Sequence, residues 1–190
     1  MDQTQTLLIE LDGLKRVLRR SYISDGSRHE NSAEHSWHVA VALLALRDFM
    51  PDAIDLNFAL RIALLHDIGE VGASDVSIFD PERPLARSTE ENYLAGLAQR
   101  HSYCGSLALE IWREYEDGDS LERRWVRLVD RLLPFLLNLA TEGKSWREQG
   151  INRTQVLKIN RCVADTSEFI YNWMTQETNR AVELGWLKDV

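Results

Sequence analysis

At 190 residues the chain is long enough to bury about two thirds of its unfolded surface, so a single domain spanning 1–190 is expected. With 44% hydrophobic and 27% charged residues it has the composition of a soluble globular protein, and a net charge of −8 excludes a general binder of nucleic-acid polymers, whose affinity rests on basic surface. The longest apolar stretch, Leu132 to Ala140, is too short to cross a bilayer, and Met1-Asp2-Gln3-Thr4 lacks a signal-peptide pattern, so a cytoplasmic protein without membrane contact is expected.

In chain order the periodicity is helical nearly throughout. Leu7, Leu11, Leu14 and Leu18 recur at spacings of three and four, predicting a first amphipathic helix that ends near Arg20. Ser24-Asp25-Gly26-Ser27 marks a loop. Asn31 with Glu34 forms a capping-box pair, starting a second helix that Pro51-Asp52 stops and that carries His35 in its first turn. A third helix, from about Leu56 to Ile68, presents Phe58, Ala59, Ile62 and Leu65 to a core and ends near Gly69, which puts His66 and Asp67 in its last turn.

From Gly72 to Arg87 no helical period is visible, and so long a loop inside a compact domain is usually functional. Ser88 with Glu91 predicts the cap of a helix reaching His101, followed by helices over Leu107 to Tyr115 and Leu121 to Ala140. Pro134, having no N–H for the carbonyl of residue 130, predicts a kink close to Asp130. Helices from Arg153 to Ala164 and Thr166 to Leu184 complete the chain, with Trp173 and Trp186 as packing anchors. Cys104 and Cys162 belong to no Cys-x-x-Cys pair and read as buried free thiols. The expected fold is all-α: one irregular bundle of five or more helices.

The chemistry-bearing pattern is His35, the doublet His66-Asp67, and Asp130. Any one of these alone is ordinary. Together they offer two imidazoles and two carboxylates, four ligands for one divalent cation, and Asp67 and Asp130 both adjoin core-facing residues, where a carboxylate is costly unless paired or coordinated. Mixed nitrogen and oxygen donors suit Mn, Co, Fe or Zn better than Ca. Glu70, four residues after His66, lies about one helical turn on, where it reaches the site without ligating and is expected to position or deprotonate a water. Arg19 and Arg28 flank the segment delivering His35 and are the phosphate-binding candidates, because guanidinium matches phosphate bidentately. His38, three residues after His35, reads as a neighbour or core residue, and His29 and His101 as incidental.

Glu34-His35-Ser36, the run Leu64-Leu65-His66-Asp67-Ile68-Gly69-Glu70 and Val129-Asp130-Arg131 resemble the signature of the HD-domain metal-dependent phosphohydrolases, and their spacing and flanks are similar to the compact bacterial branch that includes 5'-deoxynucleotidases. The resemblance covers roughly residues 7 to 187 and implies a helical bundle around one ion held by His35, His66, Asp67 and Asp130. It also implies a homodimer, and a role for Asp75 in protonating the leaving oxygen or holding a sugar hydroxyl. The segment Asp75 to Glu82, where a specificity loop is expected, declares no base or sugar preference. Only His101 stands between the doublet and the final aspartate, which favours a single-metal site over the dinuclear branches.

The expected activity is hydrolysis of a nucleoside 5'-monophosphate or similar small phosphomonoester by a metal-activated water. Phosphodiester or nucleoside-polyphosphate hydrolysis on the same ion, and a non-catalytic helical nucleotide-binding module, stand as the alternatives.

Overall fold

The N-terminal leucine repeat does not carry one helix to Arg20. In the computed structural model, which describes every residue except Ile78, Pro81 and Glu82, helix α1 (Asp2–Leu11) gives way to a 3-10 turn over Asp12–Arg16 and then to extended backbone. Gly13 weakens helix propagation by about 1 kcal/mol relative to alanine, and a Cβ there would come within 3.1 Å of Val71, so a close contact is made where the helix ends. Leu14 and Val17 still reach the core, whereas Leu18 is exposed. Strand β1 (Leu18–Tyr22) pairs with β2 (His29–Asn31), an element the helical periodicity did not foresee. Its turn chemistry was nevertheless legible: Asp25 Oδ1 accepts from the Ser27 N–H at 2.8 Å, and Gly26 adopts φ 68°.

The helical elements otherwise follow the sequence closely. Helix α2 (Ser32–Ala45) starts at the expected capping box, with Asn31 accepting from the Glu34 N–H and Glu34 accepting from the Asn31 N–H. Asp55 caps α3 (Leu56–Leu65), and the chain then turns through residues 66–69 into the short α4 (Glu70–Ala73). His66 and Asp67 therefore follow the helix end, where the sequence had put them in the last turn.

Helix α5 (Arg83–Arg100) begins earlier than expected, so Ser88 lies inside it and caps nothing. Pro84 is tolerated there because first-turn N–H groups have no intrahelical acceptor. The described residues without helical structure here are 74–77, 79 and 80, and the specificity-loop positions Ile78, Pro81 and Glu82 lie outside the described residues. Helices α6 (Ser102–Asp117), α7 (Leu121–Ala140), α8 (Lys144–Glu148), α9 (Arg153–Asn160) and α10 (Glu168–Glu183) follow; α7 runs without interruption through Pro134. Among the described residues the fold is all-α apart from one hairpin and an isolated bridge between Asn152 and Lys188. No helix among the described residues is long and apolar enough to cross a membrane.

Two compact units emerge, Met1–Arg19 with Asn31–Val126, and Arg20–Glu30 with Arg127–Val190. In the first, Leu7, Leu14, Val17, Ile68, Leu94, Leu97, Ala108 and Trp112 form a continuous apolar core. Burying each large side chain there contributes about 1.5–3 kcal/mol relative to exposure. Helices α5 and α6 cross so closely at Gly105 that a Cβ would lie 2.4 Å from the Leu97 carbonyl oxygen.

In the second unit Phe135 packs against Trp146 and Trp173, with ring centroids 5.6 and 6.0 Å away, so Trp173 serves as an anchor. Lys144 lies 3.8 Å above the Tyr22 ring and donates to the Gly26 carbonyl, tying the hairpin to α8. The cysteines are free but not buried as expected: Cys104 is half-buried and Cys162 exposed.

Candidate metal centre

The capping box of α2 and the break after α3 bring two imidazoles together. His35, on the first turn of α2, is wholly buried, and His66, just past α3, is 2% exposed. Each offers a ring nitrogen within 4.8 Å of the other's. His66 Nδ1 lies 2.9 Å from the Ala63 carbonyl oxygen, and since a carbonyl only accepts, Nδ1 carries the hydrogen. Nε2 is then the lone-pair nitrogen. It has no hydrogen-bond partner among the described residues, and Asp67 Oδ1, itself an acceptor, stands 3.2 Å away. Two lone-pair atoms at that distance repel unless positive charge joins them, either a second proton on Nε2 or a shared metal ion. The Tyr115 ring packs 4.8 Å from the His66 ring and helps fix its plane.

Asp67 is oriented from its other oxygen. Arg19 Nη1 donates to Oδ2 at 3.1 Å and lies 3.9 Å from Asp75 Oδ1, with all three side chains nearly buried. Arg19 was expected to bind phosphate; its guanidinium is instead committed to two site carboxylates, and it reaches them from β1 rather than from a helix. Glu70 opens α4 and is 3% exposed, with Oε2 accepting from Ser32 Oγ at 2.6 Å. Burial, followed by the charge of Asp67, holds its carboxyl well above the usual range, with Arg19 acting in the opposite direction.

Asp75 is likewise raised by burial, partly offset by Arg19. It follows Ser74, whose φ of 67° is a left-handed conformation that costs a non-glycine residue about 1–3 kcal/mol. That strained turn lets the chain leave α4 with Asp75 within reach of Arg19.

The first unit thus assembles His35, His66, Asp67, Glu70, Asp75 and Arg19. The remaining expected residues belong to the second unit. Asp130 is a buried carboxylate, 8% exposed, on α7 four residues beyond Val126. Arg28 is exposed on the hairpin and donates to the neighbouring His29 carbonyl at 3.1 Å. His29 stacks on Tyr22 with centroids 4.1 Å apart, and His38 lies beside Trp37.

Sequence reasoning missed Ser32, Arg83 and Glu90. Glu90, 2% exposed on α5, accepts from Arg83 Nη1 at 3.1 Å and from Trp112 Nε1 at 3.0 Å. Nothing in the local sequence of Ser88-Thr89-Glu90-Glu91 separates a buried glutamate from a solvated one. The donor set itself fits a divalent ion: an imidazole whose Nδ1 is held by a backbone carbonyl, a second buried imidazole, and a carboxylate steered by an arginine.

Comparison with known proteins agrees with this chemistry. A family model described as HD domain matches residues 11–170. The chain is 27% identical over 121 residues to the 5'-deoxynucleotidase HDDC2 of Homo sapiens, covering 62% of this chain and 58% of that protein. It is 26% identical over 125 residues to the 5'-deoxynucleotidase YBR242W of Saccharomyces cerevisiae, covering 62% and 51%. The match therefore spans between half and three fifths of those relatives' length. A crystal structure described as a predicted metal-dependent phosphohydrolase from Magnetospirillum magnetotacticum superposes with a TM-score of 0.90 at 30% identity, covering 98% of this chain and 95% of that one. A Pyrococcus horikoshii protein shares the fold, with a TM-score of 0.65 at 21% identity over 89% of this chain and 96% of its own.

Proposed function

The chain belongs to the HD-domain family of metal-dependent phosphohydrolases, and from that premise we propose that it releases phosphate from a nucleoside 5'-monophosphate or a similar small phosphomonoester. The observation carrying this reading is the pair His66 Nε2 and Asp67 Oδ1, 3.2 Å apart and both oriented from behind, by the Ala63 carbonyl and by Arg19. Such preorganised donors match a cation better than they match each other. The relatives named as 5'-deoxynucleotidases support the substrate class.

His35, His66, Asp67 and Asp130 would hold one divalent ion, of the Mn, Co, Fe or Zn kind. When bound, such an ion supplies neutralisation of phosphate charge and acidification of water toward neutral pH. Glu70, its proton affinity raised by burial, is suited to take the proton from the attacking water, and Ser32 fixes its oxygen for that task. Asp75, also raised, is suited to return a proton to the leaving oxygen or to hold a sugar hydroxyl. Arg19 keeps Asp67 aimed. Arg28 remains a candidate for the phosphate.

The test is a panel of phosphate esters, monoesters, diesters and nucleoside polyphosphates, assayed with Mn, Co, Zn and Mg. Preferential turnover of 5'-monophosphates, lost in Asp67→Ala, supports the reading. Nucleotide binding without product under every metal would overturn it in favour of a binding module.

A homodimer is part of the same proposal. Trp37, Val41 and Leu44 form an exposed apolar row on α2 at helical spacing, a surface that a second copy would cover. Molar mass in solution decides this.

A further inference from the structure

One buried carboxylate has no part in the chemistry above. Glu90 is 2% exposed, yet both of its oxygens are in use, Oε1 accepting from Arg83 at 3.1 Å and Oε2 from Trp112 at 3.0 Å. Its backbone and Cβ press on Gly69, where a Cβ would come within 2.8 Å of Glu90 Cβ. Gly69 stands two residues after Asp67. The anchor for Arg83 is therefore built against the turn that carries the ligand doublet.

Arg83 itself is only partly covered, its side chain 32% exposed against 3% for Glu90. A second carboxylate, Glu116, approaches Nη2 at 3.8 Å. A guanidinium has five donors in a rigid fork, and one hydrogen bond to Glu90 leaves donors that can be offered elsewhere. Burial works against its charge, but the carboxylates of Glu90, Glu116, Glu70 and Asp67 more than offset that, so its field reaches the site acids. Arg83 also acts to lower the carboxyl of Asp75.

Asp67, Glu70, Asp75 and Glu90 make this side of the molecule acidic, and an anionic substrate needs a cation there beyond Arg19, which is committed to Asp67. We propose that Arg83 is a substrate-binding residue that receives the phosphate oxygens of the ester, with Glu90 as the positioning residue that holds its guanidinium at the site. This deepens the proposed function and rests on its reading that a phosphate ester is bound.

The experiment measures inorganic phosphate binding to the Mn-loaded protein by calorimetry, beside Mn affinity, melting temperature and steady-state kinetics on a 5'-monophosphate. Arg83→Gln is expected to weaken phosphate about tenfold and to raise KM by a similar factor, with kcat and Mn affinity within about twofold, the loss of one charge-assisted hydrogen-bonding partner. Glu90→Gln, which keeps the acceptor to Trp112 but removes the charge, is expected to give a smaller change in the same direction. A purely structural Arg83 would lower the melting temperature and leave phosphate affinity alone, and that result overturns the proposal.

Should Arg83→Gln fail to fold, Arg83→Lys carries the test: an ammonium keeps the charge but lacks the planar fork that meets two phosphate oxygens while still bonding Glu90, so unchanged phosphate affinity overturns the proposal. Failure of the wild type to bind phosphate does the same. Phosphate binding that depends on Arg83, with no ester turned over, would instead support Arg83 while removing the proposed activity.

Discussion

His66 donates from Nδ1 to the carbonyl oxygen of Ala63, one turn earlier in its own chain, at 2.9 Å. This backbone contact settles the tautomer and leaves Nε2 as the lone-pair nitrogen facing Asp67. Replacing His66 by Ala removes that nitrogen together with the ring that packs on Tyr115. Metal retained after dialysis, measured by elemental analysis, is expected to fall from near one equivalent to background, and activity by roughly 100-fold or more. Full metal content in His66→Ala would show that the doublet does not ligate.

Arg19 reaches the proposed ion through Asp67, whose Oδ2 it holds at 3.1 Å. Arg19→Gln is expected to weaken Mn affinity by about 10–100-fold while leaving the fold intact, the usual effect of losing a residue that orients a ligand. Titration with Mn followed by electron paramagnetic resonance reads this directly.

Glu70→Gln keeps the shape and the acceptor for Ser32 Oγ but cannot take a proton. Turnover is expected to drop by about 10²–10⁴-fold with Mn affinity little changed. A loss of metal in parallel with activity would make Glu70 a ligand and not a base.

Gly69 leaves no room for a side chain, since a Cβ would lie 2.8 Å from Glu90 Cβ and 3.3 Å from its Cα. Gly69→Ala is expected to cost about 1–3 kcal/mol of stability, read from chemical denaturation, because α5 or the turn must shift. The turn carrying His66 and Asp67, the proposed ligands, ends on that contact, so metal affinity is expected to fall as well.

Glu90 provides a pH test. Burial raises its carboxyl above the ordinary value of 4.5, with Arg83 acting to lower it. A carboxyl raised in the fold binds its proton more tightly folded than unfolded. Its contribution is therefore complete below the unfolded value and is lost as pH climbs through the folded one. The metal-free wild type should lose stability relative to Glu90→Gln between about pH 4.5 and the folded value, measured as the difference in denaturation midpoints. A difference that stays constant across that range would show that Glu90 is ionised throughout.

What could be read from sequence follows from how local each feature is. The α2 cap is a bond between Asn31 and Glu34, three residues apart, and it appears as expected. Helix α7 shows its apolar period over twenty residues and keeps the expected ends. Leu18 failed because its spacing fits a helix while Gly13 and the Asp25-Gly26 turn favour a hairpin, and periodicity alone cannot weigh the two. Ser88 failed because α5 starts at Arg83, where Pro84 is harmless in a first turn.

The apolar periods were enough, by themselves, to announce a helical chain, and the pattern of His35, the His66-Asp67 doublet and Asp130 to announce its family, because both are carried by residue type and spacing. Which oxygen of Asp67 meets Arg19, that Arg19 serves carboxylates, and that Glu90 holds Arg83 beside Gly69 were decided by the tertiary structure alone. These relationships join residues from 7 to 56 positions apart. Whether a charged side chain meets solvent or a partner depends on how helices and turns pack, and the residues beside it in the chain carry no record of that.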